Sequence, residues 1–330
     1  MRDKKLCPHC QSKETSKYGF YRRKRNRRKV QRYFCRSCVN TFSDQTTSTT
    51  YRQKRPDLNE MILKDVGTGV GIRKMALKHQ TTKTTIQRKI VFLSSICLKF
   101  HLENMNKWTR DAKPIFQFDE LETYEHSSHA TVTVPTVVES KSHFIVSTQA
   151  LYDKSRSHYP RLRNRHNEAH ADEIKYKGFF IKSQLSQCRK MKPKGHIVIE
   201  TDKKTTYPQY LVEAFDDAPE LLVHIQYNAS DEDLKKKLFS VNNVMACMRA
   251  DKAMLRRKTW HVCQKLSMLN HHLAIYNFFS NYVKKKIYSR TYIDKVTGKK
   301  KKKQVAYQTP AQNLGILDRP LDLKRFLQKI

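Results

Sequence analysis

Hydrophobic and polar residues alternate in two short stretches near the start of the chain, "KYGFYRR" (17–23) and "KVQRYFC" (29–35). The alternation predicts two strands joined by the polar tip "KRNRR" (24–28). Residues 44–56 have the composition of a linker. From Leu58 the period changes. Leu58, Met61, Ile62, Leu63 and Val66 recur at helical spacing, as do Ile72, Met75 and Ala76 and, after a polar turn at His79–Thr81, Ile86 and Ile90. Two short helices around a three- or four-residue turn, with a small alanine toward the turn, predict a helix-turn-helix, and residues 91–110 extend it as a linking helix.

The character changes again at residue 114. "PIFQFDELETYEH" (114–126), "ATVTVPTVVE" (130–139) and "HFIVSTQAL" (143–151) are rich in β-branched residues and predict three consecutive strands. Residues 151–195 are polar and basic, expected as a loop and then a helix near 173–190. "HIVIETD" (196–202) is a short apolar run suited to a buried parallel strand. A helix over "YPQYLVEAF" (207–215) and a strand over "LLVHIQY" (221–227) follow. A helix then runs from about Asn242 through Met245, Met248, Ala253 and Leu255, and another covers 265–282 with aromatic and leucine positions on one face. Three strands followed by alternating helices and strands imply a mixed sheet covered by helices. The expected fold class is multidomain α+β, in four segments: 1–50, 51–110, 111–285 and a basic C-terminal tail, 286–330.

Charge narrows the partner. Lys and Arg number 66 against 30 Asp and Glu, a formal net charge of +36 with pI near 10. That balance points to a polyanion, nucleic acid before an anionic membrane surface. No run of 18 apolar residues predicts a membrane span, and "MRDKKLCPHC" does not read as a secretory signal. The expected setting is cytoplasmic, so CxxC pairs point to metal or redox chemistry rather than structural disulfides. The lysine run 299–303 is expected as a solvated loop near DNA.

Cys7, Cys10, Cys35 and Cys38 form two CxxC pairs separated by 24 residues, the pattern of one tetrahedral structural zinc site. On two strands this is a zinc ribbon, and so small a segment with few aliphatics needs such a staple. Arg22, Arg23, Lys24, Arg25, Arg27, Arg28 and Lys29 at its tip suit DNA phosphates. In the helix-turn-helix, Thr82, Lys83, Thr85, Gln87 and Arg88 are expected to face DNA.

The acids are few, yet "QFDELETYEH" (117–126) holds Asp119, Glu120, Glu122 and Glu125. On a strand, Asp119, Leu121, Thr123 and Glu125 share one face, and Glu120, Glu122 and His126 the other. Glu120 is expected to be a solvated edge residue or to pair with nearby Lys or Arg. Glu122 and Glu125 are open between that role and the site. His126 and His129 are expected to be surface groups.

"FDELETYEH" ending a first strand, "ETD" ending a fourth, "VNNVMACMRADKAMLRRKTW" on a later helix and "TPAQNLGI" (309–316) resemble DDE-type insertion-sequence transposases with an N-terminal zinc ribbon and helix-turn-helix. The resemblance spans nearly the whole chain in order. It implies a ribonuclease-H-like core that cuts and joins DNA strands with Mg²⁺ or Mn²⁺, two ions clamping the attacking and leaving oxygens. Hard cations take oxygen ligands. The resemblance puts Asp119 and Asp202 in the first two ligand positions and Asn242 where the family has a Glu. Asp251 and Glu232 are the alternatives, and a helix N-cap is the bland role for Asn242. Arg249, Arg256, Arg257 and Lys258 would grip phosphates; Trp260 and the aromatics at 276–282 are expected in the core. The implied partners are double-stranded DNA, at element ends and target, and further copies of the chain on that DNA, in a prokaryotic host. Two rival readings are a zinc-ribbon DNA-binding regulator with an inactive core, and a ribonuclease-H-like repair nuclease.

Overall fold

The computed structural model describes residues 5–22, 29–46, 50–51, 53–108, 114–191, 195–228, 234–256, 262–293 and 300–329. They fall into two compact units, Met1–Asn59 with Lys324–Ile330, and Glu60–Leu323.

The first unit carries β1 (Thr15–Arg22), β2 (Lys29–Cys35) and β3 (Thr41–Ser43) in one antiparallel sheet of order β1-β2-β3. Its only apolar cluster among the described residues is Cys7, Cys35 and Phe42 with Tyr33 and Cys38 against it. That is too little core to hold 40 residues by burial.

The second unit opens with α1 (Leu58–Gly67), α2 (Ile72–Lys78) and α3 (Lys83–Asn104). The expected short second helix and linking helix are one continuous α3 of 22 residues. Thr82 caps it, its Oγ1 accepting from Thr85 N at 3.2 Å. The turn is tied back to α1 through Asp65, whose carboxylate meets Lys78 Nζ and His79 Nε2, each at 2.7 Å. Ile86, Ile90, Leu93 and Cys97 are buried along α3.

The sheet comprises β4 (Ile115–Tyr124), β5 (Thr131–Glu139), β6 (Ile145–Thr148) and β7 (Leu151–Tyr152), then α4 (Pro160–Ala169), α5 (Ala171–Lys175) and α6 (Lys177–Lys190), β8 (Ile197–Asp202), α7 (Tyr207–Ala214), β9 (Leu222–Tyr227), α8 (Leu234–Lys237), α9 (Phe239–Asp251) and α10 (Leu266–Tyr282). Strand order is β6-β5-β4-β8-β9, with β7 beside β5. β4, β5 and β6 pair antiparallel; β4–β8 and β8–β9 pair parallel. This is the mixed sheet expected from the order of patterns.

On one face Leu121, Val132 and Val134 pack with Val241, Val244, Met245 and Met248 of α9 and Leu269, Leu273 and Tyr276 of α10. On the other, Phe118 meets Tyr207 of α7 edge-on at 4.8 Å. α10 also solves the problem of the exposed edge at β6. Asn281 donates to Ile145 O (2.8 Å) and accepts from Ile145 N (2.9 Å), and Asn277 bonds Thr148 Oγ1. Asn270 does the same for both backbone groups of Ala150. The side-chain amides stand in for a missing strand. α3 lies along α10, with Phe100 edge-on to Phe278 and Tyr282 and with His101 Nδ1 3.0 Å from Tyr282 Oη. Buried Lys252 reaches Val66 O at the end of α1, so the three helices are knitted into the unit that holds the sheet.

Three differences from the sequence expectations stand out. The basic stretch after residue 151 is not a long loop: α4 begins at Pro160. α9 starts at Phe239 and ends at Asp251; Ala253–Leu255 is a separate 3-10 turn. The lysines at 300–303 lie in a strand, β11 (Lys300–Gln308), antiparallel to β10 (Lys286–Ile293), rather than in a solvated loop. Beyond them, α11 (Pro310–Asn313) and α12 (Leu323–Lys329) follow. The "TPAQNLGI" stretch is a capped helix: Thr309 and Gln312 form a reciprocal capping box, Pro310 opens the first turn, and Ala311 and Leu314 are buried.

Candidate functional site

The cysteine cluster is built by two loops of the same design. After Cys7 and Cys10, and again after Cys35 and Cys38, the next residue takes a left-handed backbone, Gln11 at φ 60° and Val39 at φ 57°. Each turn thus folds its two sulfurs toward one point. Cys7 Sγ lies 3.6 Å from Cys38 Sγ and Cys10 Sγ 3.6 Å from Cys35 Sγ, and all four sulfurs lie within 4.8 Å of one another. Four sulfurs tetrahedral about zinc at about 2.3 Å sit roughly 3.8 Å apart, whereas a disulfide needs about 2.05 Å. The spacing fits one zinc ion and not two disulfides. The Asn40 amide facing Cys38 draws its thiol down to about 6, a group ready to ligate as thiolate.

The acidic strand sorts its carboxylates by face. Gln117 of β4 pairs in register with Glu200 of β8, and its Nε2 donates to Glu200 Oε2 at 2.8 Å. Two residues on along each strand come Asp119 and Asp202. Asp119 is pushed up to about 6, first by burial and further by the charges of Asp202 and Glu120; the Glu120 amide opposes, donating to Oδ1 at 2.7 Å. Asp202 is also raised, first by burial, and its Oδ1 is buried with no hydrogen-bond partner. Two carboxylates share one region, and one oxygen is unsatisfied. This is a site for a proton or a cation.

Gln117 also fixes the third element. Its Oε1 accepts from Ser240 N (3.0 Å) and Val241 N (3.1 Å), docking the first turn of α9 onto β4 two residues before Asp119. Asn242 lies in that turn, half-buried. Its amide N donates to Leu238 O within the helix, and Leu238 is the N-cap, so the capping role weighed for Asn242 is not the one it has. Its side chain makes no hydrogen bond among the described residues. Asp251, two and a half turns later, faces Lys284 Nζ at 3.1 Å. Glu232 lies outside the described residues. Among those, the four cysteines are the one group of three or more His, Cys, Asp or Glu within reach of a single ion. Among the described residues no third acid brings a ligand oxygen within reach of an ion shared with Asp119 and Asp202.

The other acids of the strand have structural work. Glu120 is not a solvated edge residue. It is buried and clamped by Lys177 of α6, at 2.8 Å, and by Lys204. Burial opposes its charge, but the two ammonium groups outweigh it and hold the carboxyl down at about 2. Lys177 also reaches Asp153 at 2.8 Å. Glu122 pairs with Arg156 at 2.7 Å. Glu125 accepts from Tyr152 Oη (2.8 Å) and from Leu266 N (2.6 Å), so it caps the N-terminus of α10. His126 meets Gln264 Oε1 at 3.2 Å and His129 meets Ser157 Oγ at 2.9 Å.

The expected DNA-contacting residues are dispersed. Arg22 is exposed at the end of β1; Arg23, Lys24, Arg25, Arg27 and Arg28 lie outside the described residues. Lys83 and Arg88 are exposed on α3. Arg256 donates to Arg249 O and Ala250 O, closing the C-terminus of α9. Arg249 is half-buried; Arg257, Lys258 and Trp260 lie outside the described residues. Tyr276, Phe278 and Tyr282 are buried in the core. Sequence reasoning misses Gln117, Lys177 and Lys204. Only Lys204 leaves a trace, two residues after Asp202 in "ETDKK". No family model matches this chain, and no curated protein matches it. No helix among the described residues is long and apolar enough to cross a membrane.

Proposed function

We propose that this protein is a transposase of a mobile insertion element, a metal-dependent enzyme that cuts and joins DNA strands on a ribonuclease-H-like core. The observation that carries this is the Asp119–Asp202 pair on adjacent parallel strands, desolvated, with one oxygen unsatisfied and the first turn of α9 docked beside it. The order of three antiparallel strands, helices, strand, helix, strand and helix supports the ribonuclease-H-like reading. Two carboxylates are suitable hard ligands, so the residues fit Mg²⁺ or Mn²⁺. Asp119 and Asp202 would hold the metal, with Asn242 contributing an amide oxygen, and two such ions when bound stabilise charge on the attacking and leaving oxygens. Gln117 positions Asn242 through the helix it docks. The ribbon, with its zinc, and the exposed start of α3 bind element ends. In this reading the chain acts on DNA as an oligomer.

The test is cleavage and joining of DNA carrying element ends, with and without Mg²⁺. Asp119→Asn or Asp202→Asn should abolish both reactions and leave DNA binding intact or slightly tighter. Asn242→Glu should preserve or raise Mg²⁺-dependent activity, and Asn242→Ala should lower it. A second reading, a DNA-binding regulator with an inactive core, is favoured by one observation: no third acid joins the pair among the described residues. Wild-type protein that binds end DNA but never cuts it, under any divalent metal, would decide for the regulator.

A further inference from the structure

α4 is an unusual helix. Of its ten residues only His166 is buried and Asn167 half-buried; Arg161, Leu162, Arg163, Asn164 and Arg165 are all exposed. A polar ten-residue helix with no apolar face is marginal in water. It is held instead by polar anchors. His166 Nε2 lies 3.0 Å from Asp153 O, and Asn167 Oδ1 accepts from Ser155 N at 2.9 Å. The preceding loop is fastened by buried Ser155 and Ser157. Ser155 Oγ donates to His129 O, Ser157 Oγ meets His129 Nδ1 at 2.9 Å, and Tyr159 N donates to Ser157 Oγ at 3.1 Å. Arg156 is anchored on Glu122 of β4. The chain thus commits many hydrogen bonds to displaying a helix that buries almost nothing.

What it displays is uncompensated charge. Nearby cations have acids: Arg156 has Glu122, Lys177 has Glu120 and Asp153, Lys182 has Glu213, and Arg189 has Asp217. Arg161, Arg163 and Arg165 have no acidic partner among the described residues. Arg161 and Arg165 stand one turn apart on one face, a like-charge spacing that weakens a helix. An external anion with charges at a similar repeat would relieve that repulsion. The exposed ring of Tyr159 just before it adds a flat surface beside the guanidinium groups.

We infer that α4 and its anchored loop form a contact surface for the phosphate backbone of DNA, with Arg161 and Arg165 on adjacent phosphates. The partner rests on the proposed reading, since the polymer is the same. The surface uses no residue of the ribbon, of the exposed start of α3 or of the acid pair. Its contribution is sequence-independent, because phosphates carry no base identity.

The experiment uses the full zinc-loaded chain, a labelled random-sequence duplex and no added divalent metal. Affinity is measured by anisotropy across a salt series. Losing two phosphate contacts should flatten the plot of log affinity against log salt by roughly 1.8, at about 0.9 per contact. R161A/R165A should show that change, R161K/R165K should restore the wild-type slope, and K99A/K141A, removing two exposed cations elsewhere, should leave it unchanged. An unchanged slope in R161A/R165A overturns the inference, as does an equal loss in K99A/K141A. So does a loss of binding to anionic lipid vesicles or an acidic polypeptide with the DNA slope intact. Mg²⁺-dependent cleavage of end DNA by the wild-type chain, read separately, reports on the acid pair and not on the slope, so failure of α4 and failure of the catalytic reading are told apart.

Discussion

Asp119→Asn should make the Mg²⁺-free protein more stable, although it removes the residue on which activity is proposed to depend. In the native chain Asp119 keeps its proton to about pH 6, against an ordinary value of 3.8. Between those values the unfolded chain has released that proton and the folded chain has not. Each pH unit of rise across that window therefore favours unfolding by about 1.4 kcal/mol. Above pH 6 the whole cost is in force, about 3 kcal/mol. Asparagine keeps the oxygen that accepts from the Glu120 amide and carries no charge to desolvate. In urea titrations followed by circular dichroism in Mg²⁺-free buffer, the variant should exceed wild type by up to about 3 kcal/mol at pH 8 and converge with it below about pH 4. Mg²⁺ at about a hundred times its dissociation constant should return about 2.7 kcal/mol to wild type and little to the variant. A variant less stable than wild type at pH 8, or a difference that does not shrink toward pH 4, would refute the account of a desolvated pair.

Glu120→Gln should destabilise the fold by about 1–3 kcal/mol, because half-exposed Lys204 loses its carboxylate partner and Lys177 is left with Asp153 alone; urea denaturation at neutral pH measures it, and an unchanged stability would mean the clamp is not formed. The protein should carry one zinc per chain by elemental analysis, and Cys35→Ser should render roughly the first 45 residues protease-sensitive while the sheet unit stays protected. Asn281→Ala should cost about 2–4 kcal/mol, since it orphans both the N–H and the C=O of buried Ile145; thermal unfolding reads it.

The elements with a strong local pattern of apolar residues were legible in the chain. The β-branched stretches at 114–126 and 130–139, the apolar run at 196–202 and the aromatic and leucine positions over 265–282 each correspond to an observed strand or helix. The paired CxxC spacing leads to the cysteine cluster because four thiols at that separation have few other uses. What stays hidden are roles set by contacts between distant segments. Glu120 looks like a surface acid in its own neighbourhood, and becomes a buried hub only when Lys177 and Lys204 arrive from 57 and 84 residues away. Asn270, Asn277 and Asn281 read as polar breaks in an aromatic helix until the bare edge of β6 is beside them. α4 has no apolar period and so reads as loop; its anchors are hydrogen bonds to residues outside the helix.

The four acids of "DELETYE" can now be understood as one strand meeting four different electrostatic settings. Glu125, at the buried end, is neutralised by a helix dipole. Glu122, at the rim, is matched by an exposed guanidinium. Glu120, inside, takes two lysines and is held fully ionised. Asp119 makes no direct cation contact, its neighbour is another aspartate, and the charge of Lys204 offsets its burial only in part. In a chain of net charge +36 there is no shortage of lysines or arginines to place there. Burial and the repulsion of neighbouring carboxylates hold both carboxyls of the pair above their ordinary range, although Lys204 draws each of them down. A strand that sets lysines directly on Glu120 and an arginine on Glu122 leaves this pair with charge to spare, which suits the cation of the proposed reading. The lysine clamp on the opposite face then has a second effect. It holds β4 rigid through Glu120, so that Asp119, one residue away, is presented in a fixed position to whatever binds there.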